Sequence, residues 1–403
     1  RPESFSRDTE VLTPNGWLTV DQVTMSTSIA QVDQNRRITF TLPEIIHEHE
    51  QEYCYHIHDT LGRVDLIVTE GHDMVTEVKG KLSKQRADEV LYYQGVKHHV
   101  SGYTTQQGQN FTTFDALCVA YQADGHNRNY KEYGYTFSFK KDRKIKRLEN
   151  ILDQVDYPFT KYKNGNKGHL GFYIKTDKPL KKDFDWIDLS KISIEWGRSF
   201  IEELSYWDAT RRTDERYKFD TTNKKVADKV QAICALVGYN CLLSVFPDNR
   251  KDTFSTIYSL SIRTNYQPID GQSITKNRIP FTDTTYCFTV PTGMLLVRRN
   301  GASAIVGNCG KTLTLASEAS FMIDQVPDDK GAILFFGNEE QGEKVMMRII
   351  QAYFGITIKE IRDNPKIITE FQTKSRGKFL LYDDKNGNLD KNLVEAICAK
   401  VSP

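Results

Sequence analysis

The sequence predicts a multi-domain chain. An all-β module is assembled from two separated segments, an α+β domain is inserted between them, and a partial α/β unit follows. Three observations predict it. The chain has 403 residues, more than one hydrophobic core usually serves, so about two to four domains are expected. Short strand patterns fill residues 4–95 and return at 271–308, while helical periodicity dominates the interval between them. Past residue 309 the order becomes helix, strand, helix, the alternation of an α/β layer.

Taken in order, Val11-Leu12-Thr13 reads as a strand, Pro14-Asn15-Gly16 as a turn and Trp17-Leu18-Thr19-Val20 as the returning strand. Val64-Asp65-Leu66-Ile67-Val68-Thr69 reads as another strand. Helices are expected over 114–123 and 197–207, each followed by strands and then by a second amphipathic stretch, 144–155 and 224–237. The order helix, strands, helix therefore occurs twice in unlike sequences, a weak internal repeat. β character resumes in Tyr286-Cys287-Phe288-Thr289-Val290, Met294-Leu295-Leu296-Val297 and Ala304-Ile305-Val306, with turns at Pro291-Thr292-Gly293 and Asn300-Gly301. These strands are expected to complete the first module. A helix through Ala316 and Ala319, a buried strand over 332–336 and a helix over 342–353 follow Lys311.

Composition narrows the function class little. Lys+Arg total 54 against 53 Asp+Glu, a formal net charge of +1, so bulk charge argues neither for nor against nucleic acid and local clusters must decide. Seven scattered Cys form no C-x-x-C pair, suggesting neither a disulfide framework nor a zinc site, and a reducing cytosol is the natural compartment. No apolar run reaches the ~18 residues of a membrane span, and residues 1–30 have no basic head before an apolar core. A soluble, untargeted, cytoplasmic protein without membrane partners is expected.

Cys309-Gly310-Lys311-Thr312 reads as the second half of a phosphate-binding loop, and Arg1-Pro2-Glu3 as part of the first half. Joined, they give Arg-Pro-Glu-Cys-Gly-Lys-Thr, which lacks only the leading glycine of G-x-x-x-x-G-K-[ST]. The stretch between begins at Ser4 and closes on Gly307-Asn308, so its borders carry side chains able to perform acyl transfer. With Thr69-Glu70-Gly71-His72 as a T-x-x-H motif and Tyr286-Cys287-Phe288-Thr289-Val290 near the end, residues 4–308 resemble an intein with the Hint fold.

That resemblance implies self-catalysed protein splicing without a cofactor, from a monomer. Ser4 would accept the upstream acyl group, Cys309 would receive it next, and Asn308 would cyclise to release the intervening segment. His72 would protonate the departing amide nitrogen, as an imidazole with a pKa near ~6.5 can at neutral pH, and Thr69 would orient the same peptide. Three residues depart from the family pattern. Ser4 stands where Cys is commoner, and Gly307 stands where a His usually assists Asn cyclisation. Cys287 stands where Asp is usual. In a minority class of inteins a cysteine there initiates, but that class carries Trp and Thr where this chain has Met74 and Val306. Cys287 therefore either attacks the Glu3–Ser4 bond directly, or tunes its cleavage, or simply packs.

Phe114-Asp115-Ala116-Leu117-Cys118-Val119-Ala120-Tyr121-Gln122-Ala123-Asp124-Gly125 resembles a LAGLIDADG motif, and Phe200-Ile201-Glu202-Glu203-Leu204-Ser205-Tyr206-Trp207-Asp208-Ala209 resembles a degenerate second one. The resemblance implies a homing endonuclease cutting double-stranded DNA, with Asp124 and Asp208 delivering two carboxylates to hold Mg²⁺. Basic runs at 140–147 and 161–167, and Lys178 with Lys181-Lys182, are candidates for phosphate contact or for ordinary solvated charge. Ala209 replaces the usual glycine, and Glu202 and Glu203 fall where small helix-contact residues are common.

Leu334-Phe335-Phe336-Gly337-Asn338-Glu339, with Gln341 and Met346-Met347-Arg348, resembles the catalytic strand and following helix of RecA-like hexameric replicative helicases. This implies that Gly310, Lys311 and Thr312 bind ATP, with the Thr312 hydroxyl on Mg²⁺, that Glu339 polarises water, and that the host acts on single-stranded DNA once spliced. A phage-encoded host in a bacterial cell is expected. The domain order is then 1–3 upstream host, 4–95 splicing module, 96–270 endonuclease, 271–308 splicing module and 309–403 host fragment. Two rival readings are a DNA-binding ATPase with a permanent regulatory insertion and an endonuclease whose splicing has decayed.

Overall fold

The computed structural model describes the chain apart from residues 1–3, 109, 130–131, 165–168, 248–254, 308–310, 328–331, 338–341, 357, 384–390 and 402–403. It divides into two compact units, Arg1–Cys309 and Gly310–Pro403.

In the first unit the two separated β segments interweave. A six-stranded sheet runs in the order Ile274–Pro280, Tyr53–Asp59, Asp65–Val68, Phe5–Ser6, Thr284–Thr289, Ile45–Glu50. An eleven-stranded sheet joins Glu10–Thr13 to Met294–Arg299, that strand to Ala302–Gly307, and that one to Asp73–Val78. The turn expected at Asn300-Gly301 is a two-residue hairpin between paired Arg299 and Ala302. Both of its residues have positive φ, 47° and 80°, as the right-handed twist of the strands demands. Lys97–His98 and Tyr103–Thr104 pair within this same sheet.

Met294–Arg299 and Ala302–Gly307 are buried at every position. Strand side chains alternate between faces, so burial on both faces means two cores. Leu295, Val297, Ala304 and Val306 enter a core with Phe5, Val11 and Val68. Met294, Leu296 and Ile305 enter the other, which is continuous with the inserted domain.

The insert shows the repeat in full. α1 (Thr113–Asp124) is followed by strands His126–Asn129 and Gly134–Phe139, α2 (Asp142–Leu152), then Phe159–Asn164 and His169–Lys175. α3 (Ile194–Tyr206) is followed by Ala209–Thr213 and Arg216–Thr221, α4 (Lys224–Leu236), then Asn240–Phe246 and Ile257–Arg263. Each half closes an antiparallel four-stranded sheet, and the first hairpin of each carries a register shift, Asn127/Asn129 and Arg211/Thr213. α1 starts at a capping box, the Thr112 side chain accepting from the Asp115 amide while the Asp115 carboxylate accepts from the Thr112 amide.

A polar seam ties α4 to the β module. Arg298, 1% exposed, donates to both carboxylate oxygens of Glu10 at 2.6 and 2.7 Å and to Asp228 and Gln231 of α4 at 2.7 and 2.8 Å. Gln231 donates to the Gly301 carbonyl at 2.7 Å, and Lys229 to those of Asn15 and Ile187. A Cβ on Gly301 would stand 2.0 Å from the Leu243 carbonyl oxygen, so this hairpin needs glycine for the insert's approach as well as for φ.

The second unit is α/β. Helices α5 (Lys311–Ile323), α6 (Gly342–Phe354), α7 (Ile358–Asp363), α8 (Lys366–Lys374) and α9 (Lys391–Val401) accompany a parallel strand pair, Ile333–Gly337 on Phe379–Asp383. Ala316, Ala319, Ile323, Val345, Ile349 and Phe371 form its core. Among the described residues, no helix is long and apolar enough to cross a membrane. One expectation needs correction. Cys287 is disulfide-bonded, while Cys54, Cys118, Cys234, Cys241 and Cys398 are free. The scattered spacing gave no sign of it, because a disulfide depends on which Cβ atoms approach in space and not on sequence distance.

Candidate functional site

The strand Phe5–Ser6 carries the first cluster. Phe5 pairs with Tyr286 on one side and Val68 on the other. Continuing the first register by one residue sets Ser4 opposite Cys287. On the other side the Thr69 amide donates to the Ser4 carbonyl at 3.0 Å, and the Ser4 amide donates to the Thr69 hydroxyl at 2.8 Å. That amide nitrogen belongs to the Glu3–Ser4 peptide bond, so Thr69 holds the atom that departs when the bond is cleaved. The His72 amide donates to the Thr69 carbonyl, and the His72 ring lies edge-on to Phe5 at 4.5 Å between centroids. Ser4, Thr69, His72 and Cys287 are all fully buried. Among the described residues the Ser4 hydroxyl has no hydrogen-bond partner, an unusual state for a buried polar atom.

Gly307 packs directly against the neighbour of His72. A Cβ there would lie 2.3 Å from the Asp73 Cβ and 2.7 Å from its carbonyl oxygen. A glycine at this position, where the intein resemblance leads to the expectation of histidine, thus has a steric reason. Gly307→His is expected to lose about 1–3 kcal/mol through overpacking and to slow release at Asn308. Thermal melting alongside intact-mass kinetics checks this, and faster release at unchanged melting temperature would contradict it.

The second cluster lies where α1 and α3 end. Asp124 is the last residue of α1, and Asp208 follows the Trp207 cap of α3. One ammonium joins them, Lys144 of α2, whose Nζ donates to Asp124 at 2.5 Å and to Asp208 at 3.1 Å. Further cations cap the same helix ends. Lys182 donates to the carbonyls of Tyr121 and Gln122, and Arg143 to those of Ser205, Tyr206 and Trp207, where the helix dipole is negative. Burial pulls the Lys182 ammonium below its ordinary value, against the opposing influence of Asp124, Asp208 and Asp183. Glu203, which falls where small helix-contact residues are common, is buried in an ion pair with Arg147 and accepts from the Trp207 indole at 2.8 Å. Ala209 is accommodated as a buried strand residue.

Sequence reasoning missed Lys144, treating it as one charge in a basic run. The signal was present: Lys144, Leu148 and Ile151 share the i, i+4, i+7 face of α2, and all three are buried. Among the described residues, no group of three or more His, Cys, Asp or Glu is placed to hold a metal ion. Asn308, Cys309, Gly310 and Glu339, and the side chains of Lys311 and Thr312, lie outside the described residues.

Among solved structures, a splice-inactive AceL NrdHF class 3 split intein is 9% identical with a TM-score of 0.33, covering 77% of this chain and 100% of its own. I-DmoI in complex with DNA and Mn is 15% identical with a TM-score of 0.26, covering 37% of this chain and 89% of its own. A curated protein, the ribonucleoside-diphosphate reductase subunit beta of Aquifex aeolicus (strain VF5), is 28% identical over 352 residues, 77% of this chain and 50% of its own length. The chain spans about half the length of this curated relative. No family model matches.

Proposed function

We propose that residues 4–308 form an intein that excises itself by protein splicing and carries a DNA homing endonuclease. One observation carries the splicing reading: the Glu3–Ser4 amide nitrogen sits on the Thr69 hydroxyl, with Ser4 set between Thr69 and Cys287 and His72 beside the same strand. In this reading either the Ser4 hydroxyl or the Cys287 thiol attacks the Glu3 carbonyl carbon, forming an ester or thioester as the amide nitrogen takes a proton from His72. The acyl group passes to Cys309. The Asn308 side-chain amide then attacks its own backbone carbonyl, releasing the segment, and the Cys309 amino group recaptures the acyl group as an amide. A disulfide-bonded Cys287 has no thiolate, so the Cys287 route requires reduction first.

The endonuclease reading rests on the two αββαββ halves that bring Asp124 and Asp208 to one point, with double-stranded DNA as partner. Carboxylate oxygens suit Mg²⁺, and Asp124 and Asp208 would hold it; when bound it would stabilise charge on a scissile phosphate. The ion fits only where Lys144 yields its place.

For the host, the α/β order and the parallel strand pair of the second unit support a RecA-like ATPase fragment. This is the helicase reading, hexameric on single-stranded DNA, with ATP and Mg²⁺ at Gly310, Lys311 and Thr312 after splicing, Glu339 as the water-polarising residue, and a phage-encoded cytoplasmic origin. The reductase name of the curated relative favours a second host, a reductase subunit. ATP binding by the joined host separates the two.

The deciding experiment is an intact mass after incubation at pH 7, with and without dithiothreitol. A product joining Glu3 to Cys309 beside a free segment of residues 4–308 is expected, and Asn308→Ala should prevent that release. Formation only with dithiothreitol shows that a thiol must be reduced, which the Cys309 acceptor requires in either route; Ser4→Ala with dithiothreitol then separates the two initiators, splicing being kept if Cys287 attacks and lost if Ser4 does. A chain of constant mass in both arms, equal to the Asn308→Ala control, would falsify the splicing reading.

A further inference from the structure

We infer that Lys144 is a built-in counter-ion that stands where a divalent cation would bind, so that a metal must displace its ammonium to reach Asp124 and Asp208. The inference rests on the endonuclease reading for its biological meaning, but not for its physics. Lys144 occupies a core-facing position of α2 in line with Leu148 and Ile151, where an apolar side chain would normally stand, and its side chain is 10% exposed. A buried ammonium is costly unless paired. Here its pairing consists of the two carboxylates, which themselves come from different halves of the repeat. Without Lys144 two like charges would face each other across the junction of α1 and α3, and repulsion would open it.

The neighbouring cations are already committed. Lys182 is spent on the end of α1, Arg143 on the end of α3, and Arg147 on Glu203. Among the described residues, Lys144 is the cation shared between the two aspartates. Its long flexible stem allows the ammonium to withdraw when a better cation arrives. The pair is thus kept together and neutralised while no metal is bound, and metal affinity is set by competition with a tethered charge. Lys144 is a positioning residue in this scheme.

The test titrates Mn²⁺ alone, without DNA, into the full chain carrying Asn308→Ala to hold its length constant. Lys144→Met is expected to bind Mn²⁺ at least about tenfold more tightly than the parent, since a like charge close to the site is gone. Its melting temperature should fall in EDTA and recover with Mn²⁺, while the parent's barely responds. Lys144→Arg, which keeps the charge, should behave as the parent. Adding Asp124→Asn to Lys144→Met should remove the gain. Equal or weaker Mn²⁺ binding by a folded Lys144→Met chain overturns the inference, as does a gain that survives Asp124→Asn; if Lys144→Met does not fold, Lys144→Gln takes its place under the same criteria. A DNA-cleavage assay separates the two layers. No cleavage by any variant, together with the tenfold Mn²⁺ difference, sinks the endonuclease reading and leaves this inference standing. Cleavage by the parent with equal Mn²⁺ affinities does the reverse.

Discussion

Arg298→Ala is expected to destabilise the first unit by about 3–5 kcal/mol, the usual cost of removing one partner from a buried charge network. The guanidinium is 1% exposed and holds Glu10 of the β module and Asp228 of α4 in one place, lying over the Trp17 ring at 4.7 Å. Its loss leaves two carboxylates at the seam between the β module and the insert with the half-exposed Lys224 ammonium beside them. Urea unfolding measures the change. A triple variant, Arg298→Met with Glu10→Gln and Asp228→Asn, should recover most of it, because Lys224, the ammonium that pairs with both acids, is half-exposed and stays hydrated without them. A single variant that melts like the parent would mean that the seam contributes little. The expected loss has a functional corollary. The insert packs against Leu12, Met294, Leu296 and Ile305 of the β module, so deleting residues 105–265 should expose them and compromise the proposed splicing.

His72→Gln should slow cleavage of the Glu3–Ser4 bond by about 10²–10⁴, the usual contribution of a positioned general acid. Glutamine keeps polarity and roughly the volume beside Phe5, so a melting temperature close to the parent's is the necessary control. The rate is read by intact mass as the upstream peptide is released to hydroxylamine, an assay that stops before Asn308 acts. A loss below about threefold would remove His72 from the proton path and leave it as a packing residue. Thr69→Val, which deletes the acceptor of the Ser4 amide at 2.8 Å, should slow the same step without altering the Asn308 step.

The candidate residues were legible because each sits in a local pattern: Thr69 and His72 in T-x-x-H, Asp124 and Asp208 at the ends of matching helices, Asn300-Gly301 in a two-residue turn. Local propensity also placed the helices and strands, since α1 to α4 and the closing β strands follow periodicity and caps that need no distant partner. What sequence alone could not decide was everything settled by long-range register. Ser4 faces Cys287 only because two strands nearly three hundred residues apart pair with Phe5 opposite Tyr286. Gly307 excludes a histidine only because Asp73 lies against it. Lys144 reads as one charge among many until folding brings two carboxylates to its ammonium. Propensity, turns and caps are short-range energies written in neighbouring residues, whereas close approach and the pairing of buried charge depend on atoms that meet only after the chain has closed.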